Sequence, residues 1–538
     1  MKSAPRLELN EAQLDALLQR VEQQRLAPGD YQTLRVIVET VRFLGHELQE
    51  KNFSNRRILQ MIFGAKTEKT DAVLNKAPAD RSPAGAGQAA AKGKRPGHGR
   101  RPSTAYQGLP RVKVPHGQCK AGDRCPGCGR GKLYDTKRPA VLLHLQAQPI
   151  ISGECLELEK LRCTTCGKLF SATPPPGFSE QKYDANVAPM LAVMRYGCGL
   201  PMHRLEQHQQ DGGVPLPAGT QWELVQEHAR ELAPLWEEWL RQAADGAVVF
   251  NDDTTARILS LEKQIRAEEA LAAKNGTKLR TGVFTTGILS QCGSHPLALF
   301  FSGGQHAGEN LQAVLDRRSP DLPPPIQMCD ALSRNRPRTT TTRLANCTAH
   351  GRRNFVAVAD VFPEECTRVL ETIKQVYQHD AETRRQSLSD PERLRFHQEH
   401  SGPLMGNLKQ WMEQKLENHQ VEPNGSLGEA IRYMLKHWEP LTLFLREPGA
   451  PLDSNPVERI LKVAIRHRNN SLFYKTQNGA YVGDLFMSLI TTCRLARVNP
   501  FDYLSTLRRH LPQVRDGPAA WMPWNYQATA AALAASRN

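Results

Sequence analysis

The most restrictive feature of the sequence is a succession of short apolar runs that begins at residue 247. Three runs, AVVFNDDTTARIL, TGVFTTGILS and HPLALFFSGG, have the length and the Val, Ile, Phe and Thr content of β-strands. A helical stretch, HAGENLQAVLDRRS, comes next, and IQMCDALSRN then supplies a fourth strand. The sequence therefore predicts a sheet whose elements follow the chain order β-β-β-α-β.

Acidic residues stand on two of these strands. Asp252 and Asp253 lie in or just after the first strand, and Asp330 lies at the end of the fourth. This is the arrangement of a ribonuclease H-like sheet, in which adjacent strands bring the acids together. Side chains alternate along a strand, so only one of the two neighbouring acids can face a shared site. We expect Asp252 to face it and Asp253 to serve as a turn former.

A third carboxylate stands in a basic segment far downstream. Glu458 is followed by Arg459, Lys462, Arg466, Arg468 and Lys475, and the next acid is Asp484. Carboxylate oxygens bind Mg²⁺, whereas Lys and Arg neutralise phosphates. The alternative is a helix N-terminal Glu that the helix dipole favours. The interval from Asp330 is 458 − 330 = 128 residues, and we expect a helical insertion at about 355–450 to occupy most of it.

Three carboxylates on separate elements predict a two-metal centre. Two ions about 3.5–4 Å apart activate an attacking oxygen and stabilise the leaving one in phosphoryl transfer. The predicted ligands of Mg²⁺ (or Mn²⁺) are Asp252, Asp330 and Glu458.

Basic side chains near these acids are candidates for DNA contacts. His350, Arg352 and Arg353 follow the fourth strand closely, and Lys462 and Arg466 share the helix face of Glu458. Solvated helix charge is the alternative for the first group. In LFYKT, Tyr474 is predicted to stack on a base and Lys475 to contact a phosphate, with Leu472 and Phe473 in the core. The full predicted set is His350, Arg352, Arg353, Lys462, Arg466, Arg468 and Lys475.

Two Cys-x-x-Cys elements predict a structural zinc site. Cys125 and Cys128 are separated by 34 residues from Cys163 and Cys166, and four thiolates in this pattern suit one tetrahedral Zn²⁺. A Gly follows each pair, which permits the tight turn of a zinc ribbon. The closed ligand set leaves no position for catalysis.

The rest of the chain divides by composition. At 538 residues it is too long for one compact core. Residues 1–75 are predicted to be helical, as a short coiled coil or as ordinary amphipathic helices, and 76–115 to be a basic disordered linker. The zinc ribbon takes 116–175. Helices at 180–245 form either a helix-turn-helix DNA reader or simple packing before the next domain. The catalytic domain takes 246–510 and a tail 511–538.

Net charge points to a polyanionic partner. Lys and Arg number 70 against 55 Asp and Glu, a formal net charge of +15, which favours nucleic acid. No apolar run of about 18 residues predicts a membrane span, and MKSAPRLELNEAQ lacks the apolar core of a secretion signal. These features predict a cytoplasmic protein.

Along nearly its whole length the chain resembles the DDE transposases of the insertion-sequence sixty-six type. The shared motifs are IFGAKTEK, CPGCG, CTTCG, NDDTT, MCDALSRN, AHGRRNF, DSNPVER, HRNNSLFYKTQNGA and NPFDYLSTL. The resemblance implies an α/β multidomain protein with a ribonuclease H-like catalytic core and a helical insertion, preceded by N-terminal helices and a zinc ribbon. It also implies that Asp252, Asp330 and Glu458 match the family's acidic triad.

The expected function is therefore cutting and joining of insertion-element ends. Expected partners are DNA, both element ends and target, further copies of the chain on DNA, and small accessory proteins of the same element. Two alternatives stay open at this point. One is a ribonuclease H-like nuclease that cuts without joining, and the other is a DNA-binding regulator with a vestigial catalytic domain.

Overall fold

The computed structural model describes residues 182–274 and 280–536 continuously, together with parts of 11–37, 121–133 and 150–175. In the first of these parts, helix α1 covers Glu11–Glu22. Most of the predicted N-terminal helical region and all of the predicted linker lie outside the described residues.

A short hairpin flanks the second Cys-x-x-Cys element. Strands β1 (Lys160–Arg162) and β2 (Leu169–Ser171) pair antiparallel, with Arg162 opposite Leu169. An isolated antiparallel bridge joins Arg124 to Lys132 on either side of the first element. Cys125, Cys163 and Cys166 themselves lie outside the described residues.

Five described strands form one mixed sheet in the order β5-β4-β3-β6-β7. The strands are β3 (Val248–Thr255), β4 (Phe284–Cys292), β5 (His295–Gly303), β6 (Ile326–Cys329) and β7 (Arg343–Asn346). Strands β3, β4 and β5 are antiparallel neighbours, whereas β6 runs parallel to both β3 and β7. The parallel pairing aligns the carboxyl ends of β3 and β6, where the predicted acids stand.

Helices surround the sheet and bury its apolar residues. Upstream lie α2 (Val187–Ala192), a π-helical turn (Val193–Gly197), α3 (Met202–Asp211), α4 (Ala218–Glu231) and α5 (Ala233–Ala244). Trp239 of α5 is fully buried and its indole N–H donates to the carbonyl of Ala298 in β5. In the segment predicted as a DNA reader or as packing, Val225 is buried and Trp222 packs against the core.

The sequence prediction missed two elements of the sheet region. Helix α6 (Leu259–Lys274) lies between β3 and β4, which the prediction had as consecutive strands. Strand β7 was also missed, because four residues, RLAN, are too few to show a period. Helix α7 (Ala307–Leu315) lies between β5 and β6, as predicted.

The stretch between β7 and residue 455 is helical. It contains α8 (Thr348–Val358), α9 (Pro363–Arg385), α10 (Asp390–His400), α11 (Gly402–Glu417), α12 (Ser426–Lys436) and α13 (Trp438–Leu441). At its centre the buried Asp380 carboxylate accepts hydrogen bonds from Arg393, while Arg384 and His397 lie beside it. Burial raises the pKa of Asp380, but the hydrogen bonds from His397 and Arg393 and the charges of Arg393 and Arg384 outweigh it and lower the pKa to about 2. The buried carboxylate is therefore paired with cations, as buried charges must be.

The C-terminal helices close the fold. They are α14 (Asn455–Ser471), α15 (Gln477–Leu495), α16 (Pro500–Arg509), α17 (Leu511–Asp516) and α18 (Tyr526–Ala535). Helix α15 runs along β5, the edge strand of the described sheet. Every fourth side chain of α15 accepts a hydrogen bond from the backbone N–H of every second residue of β5. The pairs are Asp484 with Ser302, Ser488 with Phe300, and Thr492 with Ala298. The helix thereby covers a strand edge that would otherwise expose unpaired donors.

Candidate active site

Asp252 and Asp330 lie on neighbouring parallel strands. The register pairs Phe250 of β3 with Met328 of β6. Asp252 lies two residues after Phe250 within β3, and Asp330 lies two residues after Met328, just beyond the end of β6. Adjacent strands lie about 4.8 Å apart, so the two carboxylates belong to one end of the sheet. Burial raises the pKa of Asp252, and the nearby charge of Asp330 adds to this rise.

Gly287 brings helix α14 onto the face that Asp252 occupies. Gly287 is the antiparallel partner of Asp252 in β4, and directly opposed residues project to the same face. A Cβ atom on Gly287 would lie 2.8 Å from Leu461 Cδ2 and 2.9 Å from its Cγ. The missing side chain therefore admits Leu461, and Glu458 stands three residues earlier on the same helix face.

Glu458 lies in the first turn of α14, as both interpretations of the sequence require. Its Oε2 is 3.5 Å from Arg353 Nη2, and its Oε1 is 4.0 Å from His350 Nε2. Among the described residues, the solvent-shielded Oε1 atom has no hydrogen-bond partner. Glu458 therefore faces two of the sequence-predicted DNA-binding residues on α8, Arg353 and His350. His350 Nδ1 is also shielded from solvent and has no hydrogen-bond partner within the described structure.

The environment of Asp252 favours a cation. Burial is the largest cause of a pKa raised to about 6, and the negative charge of Asp330 adds to it. The backbone N–H of Asp253, which donates to Asp252 Oδ1 at 2.8 Å, and the nearby His350 oppose the rise. A carboxylate that is costly to ionise beside another carboxylate gains most from a bound cation.

A buried amide network, which the sequence prediction missed, holds Asp330. Asn335 donates from Nδ2 to Asp330 Oδ1. The backbone carbonyl of Asn335 accepts hydrogen bonds from Asn251 Nδ2 and from Gln327 Nε2, both at 2.7 Å. Gln327 also donates to Asn251 Oδ1 at 2.9 Å. The network links the residue before Asp252 with the loop after Asp330, although its members are 84 positions apart in the chain.

Asp253 points to the opposite face, as strand alternation predicts. Its carboxylate accepts from Thr286 Oγ1 at 2.6 Å and from the backbone N–H of Ala307 at 3.0 Å, and it lies 3.2 Å from His306 Nδ1. Its side chain is only 2% exposed. Asp253 thus anchors the start of α7 to the sheet.

The three predicted acids do not form a closed ligand group in this structure. Within the described ranges, no three His, Cys, Asp or Glu side chains stand close enough together to hold a metal ion. Asp252 and Asp330 share the strand ends, whereas Glu458 is turned toward Arg353 and His350. The donor set is nevertheless all oxygen, which suits Mg²⁺ or Mn²⁺, and the unbonded Glu458 Oε1 leaves a donor atom for such an ion.

The basic residues after Glu458 divide into two groups. Arg468 donates to Thr254 Oγ1 at 3.2 Å and to Thr255 Oγ1 at 2.5 Å, which ties α14 to the end of β3. Arg466 donates to the carbonyl of Gly197 at 3.1 Å. Lys462, Arg466 and Lys475 are exposed, so Arg466 presents positive charge to solvent together with these two lysines.

The segment LFYKT is arranged differently from the prediction. Tyr474 is buried and its ring stacks on His467 with centroids 4.7 Å apart, so it does not present a stacking surface. Leu472 and Phe473, predicted as core, are exposed. The predicted roles of Leu472, Phe473 and Tyr474 were therefore wrong, because the chain reverses direction at Leu472.

The fold and the site define the class of protein. It is an α/β protein in which two acids, Asp252 and Asp330, lie toward the carboxyl ends of two adjacent parallel strands. The model of the transposase IS66 family matches residues 181–482, more than half of the chain. The chain belongs to this family of transposases.

Three proteins of Sinorhizobium fredii are similar to the chain. The uncharacterized protein y4hP is 25% identical over 70% of this chain and 68% of its own length. The uncharacterized proteins y4jD and y4qI are each 27% identical, over 64% and 63% of this chain. The chain spans 66% and 61% of those two relatives.

In the part of the chain that the structure covers, no helix combines the length and the apolar character that crossing a bilayer requires.

Proposed function

We propose that the chain is a DNA transposase that cuts and joins the ends of an insertion element by two-metal phosphoryl transfer. Asp252, Asp330 and Glu458 are the proposed acids. The observation that carries the proposal is the common location of Asp252 and Asp330 at adjacent strand ends, with the helix of Glu458 packed over the same sheet face at Gly287.

The sheet supports a ribonuclease H-like core. Three antiparallel strands followed by two parallel ones, with the first strand central, is the strand arrangement expected for that core, and the strand order β5-β4-β3-β6-β7 agrees with it. The helices α8 to α13 lie between β7 and α14, which supports an insertion at about 355–450 within a catalytic domain of 246–510.

Divalent metal ions are general cofactors of transposases. Bound at the three carboxylates, Mg²⁺ (or Mn²⁺) would polarise a phosphoryl oxygen and favour ionisation of the attacking hydroxyl. Asn335 orients the Asp330 carboxylate through its side-chain amide. Gly287 sets how closely α14 approaches Asp252. Closing the metal site would require Glu458 to turn from Arg353 and His350 toward the two aspartates.

Arg353 and His350, which lie beside Glu458, also position the DNA in this proposal. Both lie within 4.0 Å of Glu458, so both are within reach of a phosphate brought to the acids. Guanidinium groups bind phosphate oxygens well. We therefore assign to them the positioning of the scissile phosphate, with Arg352 and the exposed Lys462 and Lys475 contacting the flanking strand.

A zinc ribbon at 116–175 is part of the same proposal. The β1–β2 hairpin brackets Cys163 and Cys166, and the Arg124–Lys132 bridge brackets Cys125 and Cys128. Each Cys-x-x-Cys pair thus lies in the sequence between two segments that pair antiparallel, and this arrangement supports one tetrahedral Zn²⁺ site. The ribbon, with the helices before and after it, would bind element ends, further copies of the chain or accessory proteins.

The proposal is tested with charge-neutral substitutions of similar shape. Asp252→Asn, Asp330→Asn and Glu458→Gln should each abolish cleavage of element-end DNA while binding of that DNA is retained. Asp321→Asn, which changes an exposed acid away from the site, is the control and should cleave normally. Full cleavage by Glu458→Gln would contradict the assignment of the third acid.

A strand-transfer assay separates joining from cutting. A transposase uses the freed 3′ hydroxyl as nucleophile, so labelled element ends should appear covalently joined to a target duplex. Cleaved ends without joined products would identify a nuclease, and neither product with the correct ends and metal would identify a regulator.

A further inference from the structure

The chain makes a strained turn immediately after α14. Leu472 has φ 66° and ψ −44°, and the N–H of Phe473 donates to the carbonyl of Ser471 at 2.8 Å. This is a γ-turn with positive φ, which is rare and strained for a residue with a side chain. Such conformations persist where the surroundings enforce them and often mark functional positions.

The turn exposes two apolar side chains. Leu472 is 62% exposed and Phe473 is 40% exposed, whereas the flanking His467 and Tyr474 are buried. A single exposed apolar residue is common on protein surfaces and needs no explanation. Two adjacent apolar residues that a strained backbone holds outward do call for one. The turn therefore presents a ring and an isobutyl group to an outside partner.

Both flanks of the turn are anchored. Before it, Arg468 binds Thr254 and Thr255. After it, the N–H of Tyr474 donates to the carbonyl of Arg257, and the carbonyl of Tyr474 accepts from Leu259, both at 2.9 Å. The ring of Tyr474 is also stacked on His467. The backbone that carries Phe473 is thus held on both sides, so ordering of the backbone costs little when a partner binds.

The surroundings of the turn are basic. Arg468 and Lys475 flank it, and Arg257, exposed and paired with Glu262 at 3.1 Å, lines the same narrow cleft as Phe473. Between Glu458 and Asp484 the sequence contains no acid. This charge is complementary to a polyanion rather than to a second copy of this basic surface.

The turn lies near the candidate active site. Thr255, which lines the cleft beside Phe473, is three residues beyond Asp252 on β3, or about 10 Å along the strand. This distance corresponds to about three nucleotides of duplex DNA.

We propose that the Leu472–Phe473 turn is a contact site for an unstacked DNA base next to the cleavage point. The Phe473 ring stacks on the base, Leu472 occupies the space beside it, and the exposed Lys475 lies near a flanking phosphate. Aromatic rings bind bases of any sequence in this way, together with cations that follow the backbone. The inference rests on the proposed function only for the position of the DNA relative to the acids.

The test uses the full chain and element-end duplexes with 5-iododeoxyuridine at single positions around the cleavage point, in Ca²⁺ buffer. Photocrosslinking should occur at one or two of these positions, and peptide mapping should locate the crosslink at Phe473. Phe473→Ala should lose the crosslink and about 10-fold in DNA affinity, whereas Phe473→Trp should keep both. Tyr481→Ala, which removes a comparably exposed ring (43%) on α15, is the matched control and should behave as the wild type.

An abasic nucleotide provides an independent measurement. If Phe473 stabilises an unstacked base, removing that base should make wild type and Phe473→Ala bind the DNA equally. Leu472→Gly should raise the melting temperature, because glycine tolerates positive φ, yet weaken binding to the intact end. Equal binding of the intact end by wild type and Phe473→Ala would overturn the inference.

Other occupants would give different results. If Phe473→Ala changes the sedimentation of the protein alone and leaves the crosslinks intact, the turn contacts a second copy and the inference fails. If Asp252→Asn abolishes cleavage while Phe473→Ala alters neither crosslinking nor affinity, the proposed function stands and this inference falls. If a crosslink forms at Phe473 but the Asp252→Asn variant still cleaves, this inference stands and the proposed function falls.

Discussion

Gly287 lies directly opposite Asp252 in the antiparallel pair of β3 and β4, and Leu461 fills the space that a side chain on Gly287 would need. Because Gly287 has no Cβ atom, α14, which carries Glu458, packs close to Asp252.

Enlarging Gly287 should separate the acids. We expect Gly287→Val to push α14 outward, lower stability by about 1–3 kcal/mol and reduce cleavage by about 100-fold, because small displacements of reacting groups are costly. Cleavage rates and urea denaturation measure the two effects. The double variant Gly287→Ala, Leu461→Ala should recover activity relative to Gly287→Ala alone, and a failure to recover would show that Leu461 does not transmit the displacement.

Asn335 should govern metal affinity through Asp330. Asn335→Ala removes the side-chain donor to Asp330 and keeps the backbone carbonyl that Asn251 and Gln327 use. We expect Mn²⁺ binding, measured by electron paramagnetic resonance or calorimetry, to weaken about 10- to 100-fold. Raising the metal concentration should partly restore cleavage. A loss of activity at all metal concentrations with unchanged Mn²⁺ affinity would assign Asn335 a purely structural role.

Asp484 should make stability depend on pH. Burial raises its pKa from 3.8 to about 7, although Ser302 donates to it from its backbone N–H and its hydroxyl. Because the folded-state value is raised, the stabilising contribution is complete below about pH 4 and is lost as pH rises through 7. Asp484→Asn mimics the protonated form and should be more stable than the wild type at pH 8, by up to about 4 kcal/mol.

The matching measurement is urea denaturation at pH 5 and pH 8. The advantage of Asp484→Asn should shrink at pH 5, whereas the exposed-acid variant Asp516→Asn should show the wild-type dependence. An equal advantage at both pH values would mean that ionisation of Asp484 is not responsible.

Lys462 and Arg468 should differ in what they support. Lys462 is exposed, so Lys462→Ala should leave stability unchanged and reduce the slope of log affinity for DNA against log salt by about 1. Arg468 binds Thr254 and Thr255, so Arg468→Ala should lower stability by about 1–3 kcal/mol. Thermal melting and DNA titrations at several salt concentrations distinguish them, and an equal salt effect for both variants without loss of stability would contradict the division.

Much of the sheet was predictable because its signals are local. The apolar runs of β3, β4, β5 and β6 are visible in a short window of sequence, and so is the alternation that sends Asp253 to the face opposite Asp252. The helix α6 and the four-residue strand β7 were missed. A short parallel strand is defined by its neighbours more than by its own residues, so local patterns do not reveal it.

The sequence by itself determined which chemical groups are present and on which elements they stand: acids at strand ends, a lone Glu in a basic helix, and paired cysteines. Tertiary structure decided their partners. Asn335 reaches Asp330 and Asn251, Gly287 admits Leu461, and Glu458 meets Arg353. It also exchanged the expected positions of Tyr474 and Phe473. These contacts join residues far apart in the chain, and their formation depends on the packing of whole helices against the sheet, which no local pattern contains.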